Sequence, residues 1–308
     1  MKSLNSYIFE KLKIKKTPKN ECFKPNVIGD LVEEIKRRIN NSNSSILDLS
    51  NIDCSNLDSL ENLFRHVFKI TNSGNDMSNI KILNVSNWNV SSITNFEYCF
   101  TRLDNIEYIE GLDTWDMRNA NTINAMFSNC RQLKELDLSE WELHLSEKET
   151  FGHRTIEAIF LSCHNLEKIK GLENWTFGKA TTLKSIFKNC KTLKTIEGIE
   201  NWNVSNIDSI YGMFENMESL SKLDLSQWDV RNLRNCFYFV KGCTSLTTIG
   251  DISKWNVQRL YDLNGMFDGC KNLVCDISDW NISISCIKTN AFKYTNSKIF
   301  KKPNVFKK

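Results

Sequence analysis

All eight tryptophans of the chain fall at one phase of a single sequence repeat. They are Trp88, Trp115, Trp141, Trp175, Trp202, Trp228, Trp255 and Trp280. The gaps between successive tryptophans are 27, 26, 34, 27, 26, 27 and 25 residues. A fixed period of about 20 to 50 residues indicates a solenoid, a propeller or an array. The chain is therefore predicted to be a repeat protein, and this lowers the expectation that it is an enzyme.

A large apolar residue twelve positions after the tryptophan marks the same repeat. These residues are Phe100, Phe127, Phe187, Phe214, Val240, Phe267 and Phe292. After Trp141 the gap to Phe160 is 19 residues, which indicates an insertion of seven residues. Ile52 precedes Phe64 by twelve residues and marks a further repeat that has no tryptophan. The sequence thus predicts nine repeats that begin near Ile46.

Each repeat is predicted to contain short strands. Leu136 and Leu138 are two residues apart and would share one face of a strand. Trp202 and Val204 show the same alternation, so the tryptophans are predicted to point inward rather than to form a sugar-binding platform. Stacked repeats would place the strands in a parallel sheet with a spacing of about 4.8 Å.

The part of each repeat that follows the tryptophan is predicted to be a short helix. Its apolar residues lie 5, 8, 11 and 12 positions after the tryptophan, as at Ile207, Ile210, Met213 and Phe214. This spacing keeps the side chains on one helical stripe. The predicted fold class is an α/β repeat solenoid of about nine 25–27-residue repeats, with parallel strands on one face and short helices on the other.

Three segments are predicted along the chain. Residues 1–45 do not repeat, and the apolar residues between Val27 and Ile39 predict an amphipathic helix. We interpret this segment as a cap for the solenoid, with targeting or partner binding as the alternative. Residues 46–292 form the predicted solenoid, and residues 293–308 form a basic C-terminal tail.

Charge is spread unevenly over these segments. The net charge is +3, of which residues 1–45 carry +5 and the six lysines of residues 293–308 carry +6, which leaves −8 for the repeats. An acidic solenoid argues against a nucleic-acid groove. The Lys-rich tail is interpreted as a frayed terminus, and contact with an anionic partner is the alternative.

The cysteines also follow the repeat. Five of the eleven occupy one repeat position: Cys130, Cys163, Cys190, Cys243 and Cys270. They are predicted to form a buried ladder of reduced thiols. The sequence has no apolar run long enough for a membrane span, and its first residues do not resemble a signal peptide. We therefore expect a cytoplasmic protein that is not exported by the general secretory route.

No catalytic motif is found, so a non-enzymatic protein without cofactor or metal is predicted. His144 and His153 flank the insertion after Trp141, and Glu147 and Glu149 lie between them. One loop rarely supplies a preorganised catalytic pocket. We interpret it as an exposed loop suited to a specific contact.

The exposed strand positions are the other candidates for partner binding. They include Glu135, Asp137, Ser139, Lys222, Asp224 and Ser226. Solenoids bind partners on the continuous surface that their strands create. For any single one of these residues, a solvated strand face is the alternative interpretation.

The unit between Trp202 and Trp228, WNVSNIDSIYGMFENMESLSKLDLSQW, resembles the BspA-like leucine-rich repeat, the bacterial domain of unknown function 285. The resemblance covers about residues 46–292. It implies a leucine-rich-repeat-like solenoid used for protein recognition or adhesion. More weakly, the N-terminal MKSLNSYIFEKLKI is similar to leaders of proteins from tailed phages of gut Bacteroidales. This resemblance implies a virion-associated or phage-encoded protein made in the bacterial cytoplasm.

The predicted function is a non-enzymatic scaffold that binds a protein partner through the strand face, the loop after Trp141, or both. One alternative is a structural or cargo component of a phage particle. Another is a BspA-like adhesin that is exported by an unrecognised route.

Overall fold

The structure is a computed structural model, and it describes residues 22–69, 77–145, 155–296 and 300–303. Two α-helices are present in these ranges, α1 (Ile28–Asn40) and α2 (Leu63–Lys69), together with single 3₁₀ turns at Met77–Asn79, Leu112–Thr114 and Ile199–Asn201. The strands are β1 (Ile46–Asp48), β2 (Ile82–Asn84), β3 (Tyr108–Glu110), β4 (Glu135–Asp137), β5 (Leu143–His144), β6 (Thr155–Glu157), β7 (Lys168–Lys170), β8 (Trp175–Thr176), β9 (Thr182–Lys184), β10 (Cys275–Asp276) and β11 (Phe300–Lys301).

The chain winds into a solenoid, and we call its turns coils. Each coil is named by the tryptophan of its repeat, or by Ile52 in the repeat without one, and we call this residue the marker; an example is the Trp202 coil. Strands β1, β2, β3, β4 and β7 form one parallel sheet in that order. The register joins Leu47 to Leu83, and Leu136 to Ile169, so buried leucines and isoleucines stack from coil to coil. The predicted parallel strands are confirmed.

The predicted short helices are wrong for the described coils, apart from α2 in the Ile52 coil. After the tryptophan the backbone forms single parallel bridges, such as Ser209 with Asn235, followed by tight turns. Within the turns of the Trp202 coil, the N–H groups of Gly212 and Phe214 donate to carbonyls of the next coil at 2.8 and 2.9 Å. In an α-helix these N–H groups would donate to carbonyls of the same helix. In the solenoid, the next coil supplies a carbonyl acceptor for every second N–H group.

Left-handed backbone conformations recur in step with these turns. Residues with φ between 50° and 58° stand ten positions after the marker in successive coils: Asn62, Tyr98, Ala125, Ser185, Gly212, Tyr238, Gly265 and Asn290, with Ala158 equivalent beyond the insertion. L-residues in this conformation interrupt a right-handed helix. The inward apolar spacing is therefore produced by alternating turn conformations and not by a helical stripe.

Aromatic ladders fill the core. Every tryptophan is at most 6% exposed, which confirms the predicted inward orientation. Phenylalanines stack between neighbouring coils with ring centroids 5.4–5.8 Å apart, from Phe64 through Phe100 and onward to Phe214. Tryptophans stack similarly, for example Trp88 on Trp115 at 5.9 Å.

The indole N–H groups tie successive coils together. Trp202 Nε1 donates to the carbonyl oxygen of Leu172 at 2.8 Å, and Trp228 Nε1 donates to that of Ile199 at 2.8 Å. In each pair the acceptor lies three residues before the marker of the previous coil. Trp175 is different: its Nε1 is buried and has no partner among the described residues. Its coil follows the insertion after Trp141, where the regular spacing is interrupted.

The cysteine ladder is confirmed. The five cysteines at the shared repeat position are buried and free. Cys130 Sγ donates to the carbonyl oxygen of Phe100 at 3.1 Å, and Cys270 Sγ donates to that of Val240 at 3.0 Å. Burial raises the pKa of Cys130 and of Cys243 to about 12. The thiols therefore remain protonated and serve packing.

Helix α1 covers the first coil. Leu31 and Ile35 are fully buried and belong to the same core as the repeats. The carboxylate of Asp30 accepts the N–H of Asn26 at 2.9 Å, which satisfies a donor at the start of the helix. Arg38 donates to the carbonyl oxygen of Asp48 at 2.9 Å and so joins the helix to the end of β1.

At the other end, part of the Lys-rich tail is ordered against the solenoid. Strand β11 pairs in parallel with β10, and Lys301 Nζ lies 2.9 Å from a carboxylate oxygen of Asp276. The interpretation of residues 293–308 as a frayed terminus is therefore wrong for Phe300–Lys301. The reason is that Phe300 occupies the strand position that Cys275 holds one coil earlier.

Candidate recognition surface

The strand face is built from residues on either side of the buried strand leucines. Glu135 and Asp137 flank Leu136 in β4 and are half-buried, and Ser139 is exposed. Asp137 accepts a hydrogen bond from Ser139 Oγ at 2.6 Å and pairs with Lys170 Nζ at 2.7 Å. Partial burial raises the pKa of Asp137, but the hydrogen bonds from Lys170 and Ser139 outweigh it and hold the pKa below its ordinary value.

A second cluster of candidates lies in the strand segment before Trp228. Lys222 and Asp224 are exposed and Ser226 is half-buried. Asp224 accepts hydrogen bonds from the Oγ and the N–H of Ser226, at 2.6 and 3.1 Å, and these bonds lower its pKa. The repeated Asp-x-Ser spacing therefore builds a local turn, a structural use that the sequence interpretation missed although the spacing was visible.

The two clusters share a face but are not neighbours. Glu135 and Asp137 face Lys168 and Lys170 of β7 across the parallel register. The Trp202 coil then separates these strands from Lys222. The structure thus places the six predicted strand residues as two sites along one surface and not as a single pocket.

Alternating charges link the first coils on this face. Glu107 pairs with Lys81 at 3.9 Å and also with Lys134, which lies on the opposite neighbouring coil. The Lys134 ammonium lies 5.5 Å from the centre of the Tyr108 ring. Partly exposed pairs of this kind contribute little stability, but they fix which charges remain available to a partner.

The strand segments carry an excess of acid. They comprise residues 45–51, 81–87, 107–114, 134–140, 167–174, 194–201, 221–227, 247–254 and 273–279. Fifteen acidic residues and seven lysines lie in these segments, and this difference equals the whole net charge of the repeats. Glu173, Glu197 and Glu200 are exposed members of this surface.

One carboxyl group on the sheet is buried without a partner. Glu110, at the end of β3, is 2% exposed, and neither carboxyl oxygen has a hydrogen-bond partner among the described residues. Burial, followed by repulsion from Asp113 and Asp48, raises its pKa to about 7. Sequence reasoning did not single out this residue, because nothing in the local pattern distinguishes it from the exposed acids.

The loop after Trp141 is held at both ends by short strands. Strand β5 pairs with β8, and β6 pairs with β9. His144 is exposed, and its Nδ1 lies 3.1 Å from Thr176 Oγ1. Glu147, Glu149 and His153 lie outside the described residues. In the described ranges no group of three or more His, Cys, Asp or Glu side chains is arranged to hold a metal ion.

No helix in the described part of the chain is long and apolar enough to cross a bilayer.

No curated protein matches the chain. Among solved structures, a leucine-rich repeat protein from Bacteroides ovatus is 14% identical, with a TM-score of 0.35 over 79% of this chain and 70% of that chain. The family model described as "Mycoplasma protein of unknown function, DUF285" matches residues 68–151, 154–280 and 242–304. The chain, whose repeats stack through tryptophan, phenylalanine and cysteine ladders, therefore belongs to the DUF285 family.

Proposed function

We propose that this protein is a non-enzymatic scaffold that recognises a protein partner through its strand face. The observation that carries the proposal is the excess of acidic side chains on the strand segments, which accounts for the whole net charge of the repeats. Charge of one sign on an extended surface steers a partner of the opposite sign and raises the association rate. The partner is accordingly expected to present a basic surface.

The exposed glutamates before Trp175 and Trp202 are the best place to test this surface. The side chains of Glu173, Glu197 and Glu200 are exposed, unlike the carboxylate of Asp137, which is held by Lys170 and Ser139. Their free carboxylates are available to a partner at little cost to the fold. The loop around His144 is the second place where the contact is proposed to lie.

The experiment compares partner capture from a native-host lysate by three baits. One is the intact chain, one carries E173K, E197K and E200K, and one carries the matched charge reversals D58K, E61K and E218K at exposed positions outside the strand segments and the loop. We expect the intact chain and the matched control to enrich the same protein, and the strand-face variant to lose it. Binding of the purified partner is then measured by calorimetry.

Equal capture by all three baits would contradict strand-face recognition. A fourth bait that lacks residues 144–152 then reports whether the loop after Trp141 carries the contact. If none of the baits enriches a protein, the recognition function itself is contradicted.

A further inference from the structure

Exposed apolar side chains gather at the Trp280 coil. Ile284 is 83% exposed, Ile287 is 50% exposed and Tyr294 is 67% exposed. At the opposite end of the solenoid, α1 buries its apolar face against the first coil. Exposed apolar side chains grouped on one coil mark a candidate site of interaction.

The same coil presents unused backbone donors. One coil earlier, the N–H of Gly265 donates to the carbonyl oxygen of Thr289 at 2.9 Å. The equivalent residue of the Trp280 coil is Asn290, and its N–H donates no hydrogen bond among the described residues, nor do those of Lys288 and Tyr294. Their counterparts one coil earlier, Leu263, Gly265 and Gly269, donate to carbonyl oxygens of the Trp280 coil. The N–H groups of Lys288, Asn290 and Tyr294 therefore face the space in which a further chain would lie.

Charge indicates what kind of chain these donors would receive. Residues 280–303 contain five lysines and no acidic residue. The ammonium of Lys301 is paired with Asp276, but Lys293 is exposed and has no acidic partner among the described residues. A second copy joined through this edge would bring like charges together, whereas a carboxylate-bearing chain would be attracted.

We propose that the outer edge of the Trp280 coil, residues 284–294, docks an acidic segment of a partner protein that follows the course of a further coil. The carbonyl oxygens of that segment accept the N–H groups of Lys288, Asn290 and Tyr294. Its apolar side chains cover Ile284 and Ile287, and its carboxylates approach Lys293. As in the addition of a strand to a sheet edge, main-chain bonds would supply affinity and the alternate side chains specificity. This edge is separate from the strand face of the proposed function.

The test uses the full chain and a fluorescent synthetic peptide of alternating valine and glutamate, with a valine–lysine peptide as its charge control. Binding is followed by fluorescence anisotropy, and hydrogen exchange locates the contact. We expect saturable binding of the acidic peptide alone, with slowed exchange at the amides of Lys288, Asn290 and Tyr294. The double variant I284S/I287S is expected to weaken binding about tenfold, since it removes apolar area that docking would cover.

Matched variants separate this edge from unspecific effects. V27S removes an exposed apolar side chain at the opposite end of the solenoid, and K194E reverses a lysine on the strand face as K293E does at the edge. The controls are expected to bind like the unmodified chain, while K293E binds more weakly. Because all of these positions are exposed, the thermal midpoint should stay unchanged.

Four results would overturn the proposal. They are no saturable binding, equal affinity for the two peptides, protection of amides only outside residues 284–294, or a concentration-dependent dimer that I284S/I287S abolishes. The last result would assign the edge to a second copy of the chain. None of these results bears on the strand-face glutamates, so the proposed function is tested independently.

Discussion

The indole hydrogen bonds show how a single side chain serves two coils. The Trp202 ring packs in the core, and its N–H satisfies a carbonyl of the preceding coil. An unpaired buried polar group costs about 1–3 kcal/mol. Each tryptophan that keeps this bond therefore contributes both apolar area and a satisfied backbone acceptor, which a phenylalanine cannot supply.

Replacing Trp202 and Trp175 by phenylalanine tests this role. We expect W202F to lower the free energy of unfolding by about 1 kcal/mol more than W175F, because only Trp202 loses a hydrogen bond. Urea denaturation of the two variants and the unmodified chain measures the difference. Equal losses in both variants would show that the indole N–H contributes nothing beyond packing.

Glu110 predicts a specific dependence of stability on pH. Its folded pKa of about 7 lies above the ordinary value of a glutamate, so its favourable contribution is complete below about pH 4.5 and is lost as the pH rises toward 7. The loss is at most about 3 kcal/mol. We expect E110Q to be more stable, relative to the unmodified chain, at pH 8 than at pH 5.

Denaturation of E110Q and of the unmodified chain at pH 5 and pH 8 measures this difference. Contributions from groups that titrate identically in both proteins cancel. D113N removes one of the repelling charges and should show a smaller difference of the same sign. A difference that is independent of pH would contradict the raised pKa.

Among the elements of the fold, the turns after the tryptophan differ most from expectation. Apolar residues 5, 8, 11 and 12 positions after the marker point inward in a helix and equally in the observed bridge and turns. The turns are stabilised because carbonyls of the neighbouring coil accept hydrogen bonds from every second backbone N–H group. The first coil keeps the helix α2, which packs against α1.

Glycine substitution distinguishes the two backbone conformations. Ala158 has a φ of 57°, and we expect A158G to raise the free energy of unfolding by about 1 kcal/mol, because glycine adopts this conformation without penalty. In a helix the same change would be destabilising by a similar amount. Thermal denaturation shows whether A158G raises or lowers the free energy of unfolding. A180G, at a position without a left-handed φ, is the control and should destabilise.

At the scale of the whole molecule, stability depends on stacking and on covered ends. Buried aliphatic, aromatic and thiol side chains of successive coils form one core that is continuous from Leu31 to Ala291. A repeat protein needs its terminal apolar surface covered to remain soluble. Helix α1 has the geometry for this at the first coil, and whether it also serves in targeting is a separate matter of function.

Deleting residues 1–45 tests the role of this segment as a cap. We expect the truncated chain to unfold at a lower temperature and to aggregate, because Leu47, Leu49 and other core residues of the first coil lose the cover of α1. Thermal denaturation and light scattering measure this. A truncated chain that remains monomeric with an unchanged midpoint would favour the targeting role instead.

Thiol accessibility reports on the intact stack. Of the eleven free cysteines, only Cys22 is exposed, and burial raises the pKa of those in the repeats. We therefore expect one thiol to react rapidly with a colorimetric disulfide reagent in the native protein, and the other ten only after denaturation. Several rapidly reacting thiols in the native protein would contradict the buried ladder.

The sequence by itself determined the repeat, its period, the inward tryptophans and the shared cysteine position, because a periodic apolar pattern constrains any stacked structure. It also identified the strand face as polar. It did not determine the backbone after the tryptophan, since Ile207, Ile210, Met213 and Phe214 satisfy a helix and a bridge with turns equally well.

Only the tertiary structure decided that choice, because acceptors for the turn N–H groups come from the next coil and are not local in sequence. For the same reason, only the structure revealed that Asp137 is already paired with Lys170, that Glu110 is buried without a partner, and that β11 extends the solenoid. Each of these depends on what the neighbouring coil places opposite a residue, which is set by stacking and not by the pattern within one repeat.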